Sequence, residues 1–172
     1  GGYAEYVVAR REECFYFDDR VSMTAAAGLP ESLFTVTKNV FFLGGLKAGE
    51  HLFIHGGASG IGTLAIQMAV AAGARVSVTA GSDARCDLCR NLGATSAINY
   101  KTAKYEDALQ NDPVDVVLDM VGGDYLARDM SVMAQGGRHV NIAFLAGAIA
   151  QIDVAKMMRK QITMTGSMLR HD

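Results

Sequence analysis

Apolar and polar positions alternate in a regular rhythm from residue 51 onward. Short apolar runs, typical of buried strands, are separated by stretches in which apolar residues recur every third or fourth position, as in amphipathic helices. Such an alternation predicts a parallel sheet covered by helices on both faces. The predicted fold class is therefore α/β, a doubly wound parallel sheet of the Rossmann type with six strands. We expect strands at residues 52–55, 75–79, 96–99, 114–119, 138–143 and 162–168, and helices at residues 60–72, 83–92, 104–110, 124–133 and 153–160.

Residues 1–50 do not follow this rhythm. Residues 3–8 resemble a strand, because their side chains alternate between two faces, but no nearby segment is suited to pair with them. Residues 30–43 predict a connecting helix. The chain begins at Gly1 without a methionine, so we expect a fragment of a longer protein. We assign residues 1–30 to the remnant of another domain and residues 31–172 to the nucleotide-binding domain.

The last predicted strand, residues 162–168, differs from the central ones. Its apolar side chains alternate with hydroxyl side chains, whereas residues 114–119 are more uniformly apolar. This alternation indicates a half-exposed strand at the edge of the sheet, where unpaired backbone groups favour pairing with another chain. We expect a symmetric homodimer through this edge.

Composition and charge narrow the class of protein. The net charge is -2 with scattered basic residues, which argues against nucleic acid as a partner. The longest apolar stretch, residues 142–152, is too short for a bilayer, which requires about 20 residues, and we expect no membrane association. The chain as given carries no secretory signal, so a cytoplasmic location is expected.

The three cysteines fit a reducing compartment. Cys86 and Cys89 have a spacing that is found in zinc sites, but no second pair of ligands accompanies them. We therefore interpret both as small side chains on one helix and expect no metal.

The strongest chemical signal is a glycine-rich turn at residues 55–62, His-Gly-Gly-Ala-Ser-Gly-Ile-Gly, between a predicted strand and a predicted helix. A dinucleotide-binding turn requires small residues where the chain reverses, where it meets the pyrophosphate and where helix packs on strand. Gly57, Ser59 and Gly62 occupy those places, and Ser59 is the departure from glycine. The amides of Ala58, Gly60 and Ile61 complete the predicted phosphate site. A purely conformational role for the glycines is the alternative, and the pattern does not match a P-loop.

The end of the second predicted strand favours NADP(H) over NAD. An NAD-binding domain usually has an acidic residue about 20 residues past the glycines, but residues 78–82 read Val-Thr-Ala-Gly-Ser. Thr79, Gly81 and Ser82 leave a small uncharged opening for a 2′-phosphate. Arg85 and Tyr100 are candidates to bind that phosphate, although a solvated helix position is an equal alternative for Arg85. The neighbouring Asp83 opposes this interpretation.

Several segments together resemble a known family. They are residues 26–31 (Ala-Ala-Gly-Leu-Pro-Glu) with Thr35 downstream, 47–50 (Lys-Ala-Gly-Glu), 79–82 (Thr-Ala-Gly-Ser), 97–100 (Ala-Ile-Asn-Tyr), 118–123 (Leu-Asp-Met-Val-Gly-Gly) and 165–170 (Thr-Gly-Ser-Met-Leu-Arg). In these segments the chain resembles the zinc-independent, zeta-crystallin-like quinone oxidoreductases of the medium-chain dehydrogenase/reductase superfamily. The resemblance extends over nearly the whole chain.

The resemblance implies a two-domain enzyme whose GroES-like catalytic domain is mostly absent here, with a remnant at the N-terminus. The implied reaction is hydride transfer from NADPH to a small-molecule quinone or activated alkene, without metal. It implies that Arg85, in place of a commonly found lysine, and Tyr100 hold the 2′-phosphate. It places Thr35, Ala143 and Phe144 beside the nicotinamide. The predicted cofactor site also includes Val121 and Gly122, in the loop after the fourth strand.

The sequence assigns no catalytic acid or base. His55 and His139 are expected to pack or to make backbone hydrogen bonds, and Asp119 is expected to fix the loop after it. The alternative functions are an NADPH-dependent reductase of enoyl thioesters or other enones, and a nucleotide-binding, dimerising module without turnover. A zinc-dependent alcohol dehydrogenase is less favoured. This chain alone is expected to be inactive.

Overall fold

The computed structural model describes residues 2–168, and its contacts divide the chain after Glu31 into two compact units. The first unit contains a 3-10 turn at Arg11–Glu13 and helix α1 at Met23–Gly28, and most of its side chains are exposed. The predicted strand at residues 3–8 is wrong, because no described strand pairs with this segment. An alternating pattern supplies two faces, but a strand also requires a neighbour for its backbone groups.

The second unit contains the alternating elements. The first two residues of helix α2 (Pro30–Val36) precede the division, and the helix continues into a π-helical segment (Thr37–Leu43), so the predicted connecting helix forms in two parts. The strands are β1 (His51–Ile54), β2 (Arg75–Ala80), β3 (Ser96–Asn99), β4 (Val114–Asp119), β5 (Met133–Asn141) and β6 (Thr163–Gly166). The helices are α3 (Gly60–Ala71), α4 (Asp83–Asn91), α5 (Tyr105–Leu109), α6 (Tyr125–Val132) and α7 (Val154–Lys160).

All six strands are parallel and lie in the order β3-β2-β1-β4-β5-β6. This is the strand order of a doubly wound dinucleotide-binding sheet, and the predicted fold class is confirmed. The strand order reverses between β1 and β4, which pair directly although they are far apart in sequence. Strand β6 lies at the edge, where its alternating pattern placed it.

The core has two layers, one on each face of the sheet. Along β1, Leu52 and Ile54 pack into one layer with α3 and α4, whereas Phe53 packs into the other layer with α5 and α6. The strands are buried on both faces, which explains why the central strands read as uniformly apolar runs. Cys86 and Cys89 belong to the first layer, and burial raises the pKa of both thiols.

Strand β5 differs most from its prediction. It begins at Met133, which pairs with Val114, and its register then shifts before Arg138 pairs with Val116. Gly136 has a left-handed φ of 72° within this irregular stretch, which the sequence analysis assigned to neither the helix at 124–133 nor the strand at 138–143. The strand ends at Asn141, and Ala143 lies in the loop that follows.

Within residues 2–168, the helices are too short or too polar for any of them to cross a lipid bilayer.

Candidate functional site

The predicted site residues lie mainly at the carboxyl ends of the strands. Ligands of open α/β sheets bind in the crevice outside these ends, at the point where the strand order reverses. The loops after β1 and β4 meet at that point, with the loop after β2 on one side and the loop after β5 on the other. The fold therefore brings chain segments that are distant in sequence to one edge of the sheet.

The glycine-rich turn after β1 requires its glycines for steric reasons. Gly56 has a left-handed φ of 69°, so the reversal falls at this residue, one position before the one predicted. A Cβ on Gly57 would lie 2.6 Å from Cβ of Val78, and a Cβ on Gly62 would lie 2.5 Å from the carbonyl oxygen of Gly56. The Gly57 amide also donates to the carbonyl of Thr79 at 2.9 Å. The turn is therefore clamped between β2 and the start of α3.

Ser59 forms the N-cap of α3. Its Oγ accepts a hydrogen bond from the Gly62 amide at 3.0 Å, and the sulfur of Met120 lies 3.9 Å from the same oxygen. The first amides of a helix, here those of Gly60 and Ile61, have no acceptor within the helix and carry the positive end of its dipole. Together with Ala58, this segment presents backbone donors to an anion at the crevice.

A second group of predicted residues lies after β2. A Cβ on Gly81 would lie 3.0 Å from the phenol oxygen of Tyr100, so the aromatic ring covers the small opening left by this glycine. Ser82 is the N-cap of α4 and its Oγ accepts from the Arg85 amide at 3.4 Å. The Arg85 side chain is exposed, and no carboxylate among residues 2–168 pairs with its guanidinium. A phenol therefore lies against Gly81, and a hydroxyl and an exposed arginine follow this glycine within four residues.

Two side chains beside this opening point elsewhere. Thr79 is 2% exposed, and its Oγ1 lies 3.2 Å from Nδ1 of His55 and accepts from the Gly56 amide at 3.3 Å. Its hydroxyl is therefore used inside the protein. The carboxylate of Asp83 accepts a hydrogen bond from the Asn99 side chain at 2.8 Å, which disperses part of its charge.

Asp119, at the end of β4, holds the next loop. Its carboxylate accepts from the Val121 amide at 2.7 Å, from the Gly122 amide at 3.1 Å and from the Asn141 side chain at 2.8 Å. The interpretation of Asp119 as a loop-fixing residue is confirmed. A carboxylate that accepts three hydrogen bonds is poorly suited to act as a base.

The loop after β4 is joined to the loop after β5 by the main chain. The Ala146 amide donates to the Val121 carbonyl at 2.7 Å, and a Cβ on Gly122 would lie 2.8 Å from the Gly147 carbonyl oxygen. Below this junction lies an open, mostly apolar cavity of about 540 Å³, to which Ala143 and Phe144 both contribute. Its lining contains no charged side chain.

Thr35 does not line this cavity. It is buried at the end of α2, and its carbonyl accepts a hydrogen bond from the Asn39 side chain at 2.8 Å. The Oδ1 of Asn39 accepts in turn from Ser167, which does line the cavity, at 2.5 Å. The structure thus links Thr35 to the cavity indirectly, and its contact with a cofactor stays a prediction.

A buried polar cluster lies beneath the crevice. Asp129 on α6 is fully buried, and its carboxylate accepts from Nε2 of His55 at 2.9 Å, from Nε2 of His139 at 3.0 Å and from the Tyr105 hydroxyl at 2.7 Å. The two histidines pack in the core, as expected. Their common hydrogen-bond partner is the Asp129 carboxylate, where the sequence analysis named the backbone. A carboxylate on the helix above attracts both imidazoles more strongly than a neutral carbonyl does.

Asp129 stays ionised despite its burial. Burial alone would raise its pKa, but the nearby His55 and the hydrogen bonds from both imidazoles outweigh this effect and lower the pKa to about 2. Burial and the neighbouring Asp129 carboxylate raise the pKa of Tyr105, so this phenol keeps its proton and donates a hydrogen bond to Asp129.

One group among residues 2–168 has the composition of a metal site. Ligand atoms of His55, Asp119 and Asp129 lie within 4.8 Å of one another, and all three residues are buried. The two carboxylates already accept hydrogen bonds from backbone amides, an amide side chain, imidazoles and a phenol, so few lone pairs are open to a cation. We interpret the group as an internal hydrogen-bond network.

Sequence reasoning missed Asp129 and Asn141. Asn141 lies near the carboxyl end of the predicted strand at residues 138–143, and polar residues at such strand ends indicate a site. Asp129 immediately precedes Met130, and both lie on the buried side of α6. An acidic residue among the apolar positions of a helix indicates a buried partner, and this signal was present in the sequence.

A family model described as zinc-binding dehydrogenase matches residues 60–172. The match covers well over half of the chain, from the start of α3 onward, and the chain therefore belongs to this family.

Particular relatives narrow the class further. Quinone oxidoreductase from Mus musculus is 30% identical over 172 residues, which cover 96% of this chain and 51% of the mouse protein. The quinone oxidoreductase from Thermus thermophilus, solved with its NADPH complex, is 30% identical with a TM-score of 0.85 over 98% of this chain and 55% of that one. The CurK enoyl reductase is 26% identical with a TM-score of 0.74 over 89% of this chain and 46% of that one.

The chain spans about half the length of these relatives. The predicted resemblance to quinone oxidoreductases is confirmed.

The steric role of the glycine-rich turn is open to test. Gly57→Ala is expected to lower the free energy of unfolding by about 1–3 kcal/mol, because its Cβ would overlap the Val78 side chain. Gly60→Ala is the matched control, since the nearest atom to its Cβ would be Ser32 Oγ at 3.8 Å. Urea denaturation of both variants measures the difference. Equal stability of the two variants would contradict the close approach of turn and strand.

The ionisation of Asp129 is a second expected property of the site. Its pKa is lower in the folded state than the ordinary value of 3.8, so its stabilising contribution is complete above that value and is lost as the pH falls towards about 2. We expect a carboxyl ¹³C titration of Asp129 to have its midpoint near 2 and the free energy of unfolding to decrease between about pH 5 and pH 2. A midpoint at or above 3.8 would show that the imidazoles do not stabilise the charge.

Proposed function

We propose that the chain is the NADP(H)-binding part of an oxidoreductase that transfers a hydride between NADPH and a small quinone or activated alkene. The observation that carries the proposal is the packing of Tyr100 against Gly81 together with the exposed Arg85, which lies in the first turn of α4 directly after the Ser82 N-cap. This combination suits a 2′-phosphate, which an acidic residue at the same place would repel.

Residues at several adjacent strand ends support the proposed cofactor. Gly57 and Gly62 leave no room for a Cβ, and the amides of Gly60 and Ile61 at the start of α3 suit a pyrophosphate, as a dinucleotide requires. Tyr100 and Arg85 would hold the adenosine phosphate at the β2 side. The loops with Val121, Gly122, Ala143 and Phe144 would border the nicotinamide at the other side. These assignments are supported by placement at adjacent strand ends.

The proposed chemistry requires little from the side chains. NADPH supplies the hydride when it is bound, and the residues of this chain bind it, orient it and exclude water around its ring. The apolar cavity beside Ala143 and Phe144 suits an uncharged ring. No acid or base is assigned, since Asp119 and Asp129 are both occupied by donors. The proposed reaction proceeds without a metal ion, and the occupied carboxylates and the core positions of Cys86 and Cys89 support this.

A reductase of enoyl thioesters or other enones is the second candidate, favoured by the similarity to an enoyl reductase. Steady-state assays of the full-length protein with a benzoquinone and with an enoyl thioester distinguish the two. A third possibility is that this chain alone binds the nucleotide without turnover. A cytoplasmic location is part of the proposal, because reduced cysteines and an NADPH supply suit it.

The test of the cofactor assignment is a titration with NADPH and NADH that follows nicotinamide fluorescence. NADPH is expected to bind more tightly, and Arg85→Ala is expected to lose about 1–3 kcal/mol of that preference, as the loss of a charge-assisted phosphate contact costs. Arg90→Ala is the matched control, because Arg90 lies on the same helix but is already bonded to Asp87 at 2.6 Å and to the Ala97 carbonyl at 2.8 Å. An unchanged preference in Arg85→Ala would overturn the 2′-phosphate site.

A homodimer through β6 is proposed from the edge position of that strand. Thr163 is exposed whereas Met164 and Thr165 are partly buried, and the outer backbone groups of β6 have no neighbouring strand among the described residues. Light scattering is expected to give twice the chain mass of 18.3 kDa, and Thr163→Lys is expected to give the monomer because it places a charge on the pairing edge. A monomeric mass for the unmodified full-length protein would contradict the proposal.

A further inference from the structure

The buried polar cluster reaches the crevice at two places. At one end, the Gly56 amide donates to Thr79 Oγ1, which lies 3.2 Å from Nδ1 of His55. At the other end, the Asp119 carboxylate accepts from the amides of Val121 and Gly122. The first end belongs to the glycine-rich turn and the second to the loop beside the cavity. Asp129 lies between the two ends.

The direction of each hydrogen bond follows from chemistry. An ionised carboxylate can only accept, so Nε2 of both His55 and His139 carries a proton and donates it to Asp129. When His55 is neutral, its other nitrogen, Nδ1, accepts from the Thr79 hydroxyl, and when the ring carries both protons, Nδ1 donates to Thr79 Oγ1. In both cases Thr79 Oγ1 accepts from the Gly56 amide. Hydrogen bonds therefore connect the turn to the carboxylate without a break.

The second half of the path passes through His139. Its Nε2 lies 3.0 Å from Oδ2 of Asp129 and 3.7 Å from Oδ2 of Asp119, so one imidazole proton faces two buried carboxylates. In a low-dielectric interior the two carboxylates and the imidazole interact strongly, so a movement of one carboxylate changes the position of the other. Asp119 then carries the shift to the amides of Val121 and Gly122.

The cluster is also supported from the side. Tyr105 donates to Asp129, and the guanidinium of Arg128 lies over its ring at 4.6 Å from the centroid. Glu106 accepts two hydrogen bonds from the same guanidinium. The donors around Asp129 therefore have little freedom to move independently.

We propose that Asp129 is a positioning residue that couples the glycine-rich turn to the loop beside the cavity, so that the two halves of the cofactor site keep one relative geometry. The coupling is a property of the chain itself, and only its effect on NADPH rests on the proposed function. Asp129 touches no cofactor and acts through His55 and His139.

Amide resonances of the full 172-residue chain test the coupling without any ligand. Thr79→Val removes the link nearest the turn and is expected to shift the amide signals of Val121 and Gly122 on the far side. In an Asp129→Asn background the same substitution is expected to leave those signals in place. Thr79→Ser keeps the hydroxyl and is expected to preserve the original spectrum of the far loop. Equal shifts in both backgrounds, or none in either, would overturn the proposal.

Histidine ring ¹⁵N spectra add a signature that a purely structural role would not change. We expect His55 and His139 to carry their proton on Nε2, and Asp129→Asn to alter the tautomer because its amide group can also donate. An unaltered tautomer at both histidines would count against Asp129 as their common acceptor. If Asp129→Asn does not fold, His139→Phe interrupts the second half of the path and leaves Asp129 two donors. Thr79→Val is then introduced in the His139→Phe background, where it is expected to leave the amide signals of Val121 and Gly122 in place.

NADPH binding separates this inference from the proposed function. Asp129→Asn is expected to weaken NADPH binding about fivefold or more, the lower range of coupling between sites. Ser131→Ala, an exposed position on the same helix, is expected to bind as the unmodified chain does. Unchanged binding in a folded Asp129→Asn chain would overturn the coupling. If the unmodified chain binds no NADPH while the amide coupling is present, the proposed function fails and the coupling stands.

Discussion

The buried carboxylate of Asp129 is the interaction on which the arrangement of this domain depends. An ionised carboxylate removed from water is strongly destabilising unless donors surround it. The donors come from His55 just after β1, from His139 in β5 and from Tyr105 in α5. Strands β1 and β5 flank β4, so α6 satisfies Asp129 only when it lies across that strand in one register. The requirement to pair one charge thus fixes a helix on the sheet.

A steric constraint acts on the same part of the chain. The glycine-rich turn approaches the side chain of Val78 and its own backbone so closely that Gly57 and Gly62 cannot carry a Cβ without displacement. The residue before them, Gly56, donates a hydrogen bond from its backbone amide to Thr79 Oγ1, and this bond connects the turn to the polar cluster. Close packing and hydrogen bonding therefore act together on the glycine-rich turn, and contacts within the chain itself fix its conformation.

Much of the fold followed from hydrophobic pattern, and the exceptions have identifiable causes. The central strands are buried on both faces, so their apolar runs are unambiguous. Residues 3–8 had the alternation of a strand but no partner to pair with, and pairing is a tertiary property. Strand β5 begins with a polar, glycine-containing stretch whose irregular pairing to β4 hides it from local pattern.

The site was predictable where backbone geometry dictates residue type and less so where side chains meet across the fold. The glycines after β1 and the absence of an acid at the end of β2 are local signals. His55 bonds to Thr79, which is 24 positions away in the sequence, and to Asp129, which is 74 positions away. No local pattern specifies such contacts. The charge of Asp129 on a buried helix face was visible, but its partners became clear only in three dimensions.

The cavity wall owes its position to main-chain bonds. The loops after β4 and β5 are joined through the Val121 carbonyl, the Ala146 amide and the glycines at 122 and 147, while the side chains of Ala143 and Phe144 face the opening. A wall held by main-chain bonds depends little on the side chains of Ala143 and Phe144. Substitutions at these two positions are therefore expected to change the size and polarity of the cavity while the frame stays intact, so single replacements can tune one scaffold.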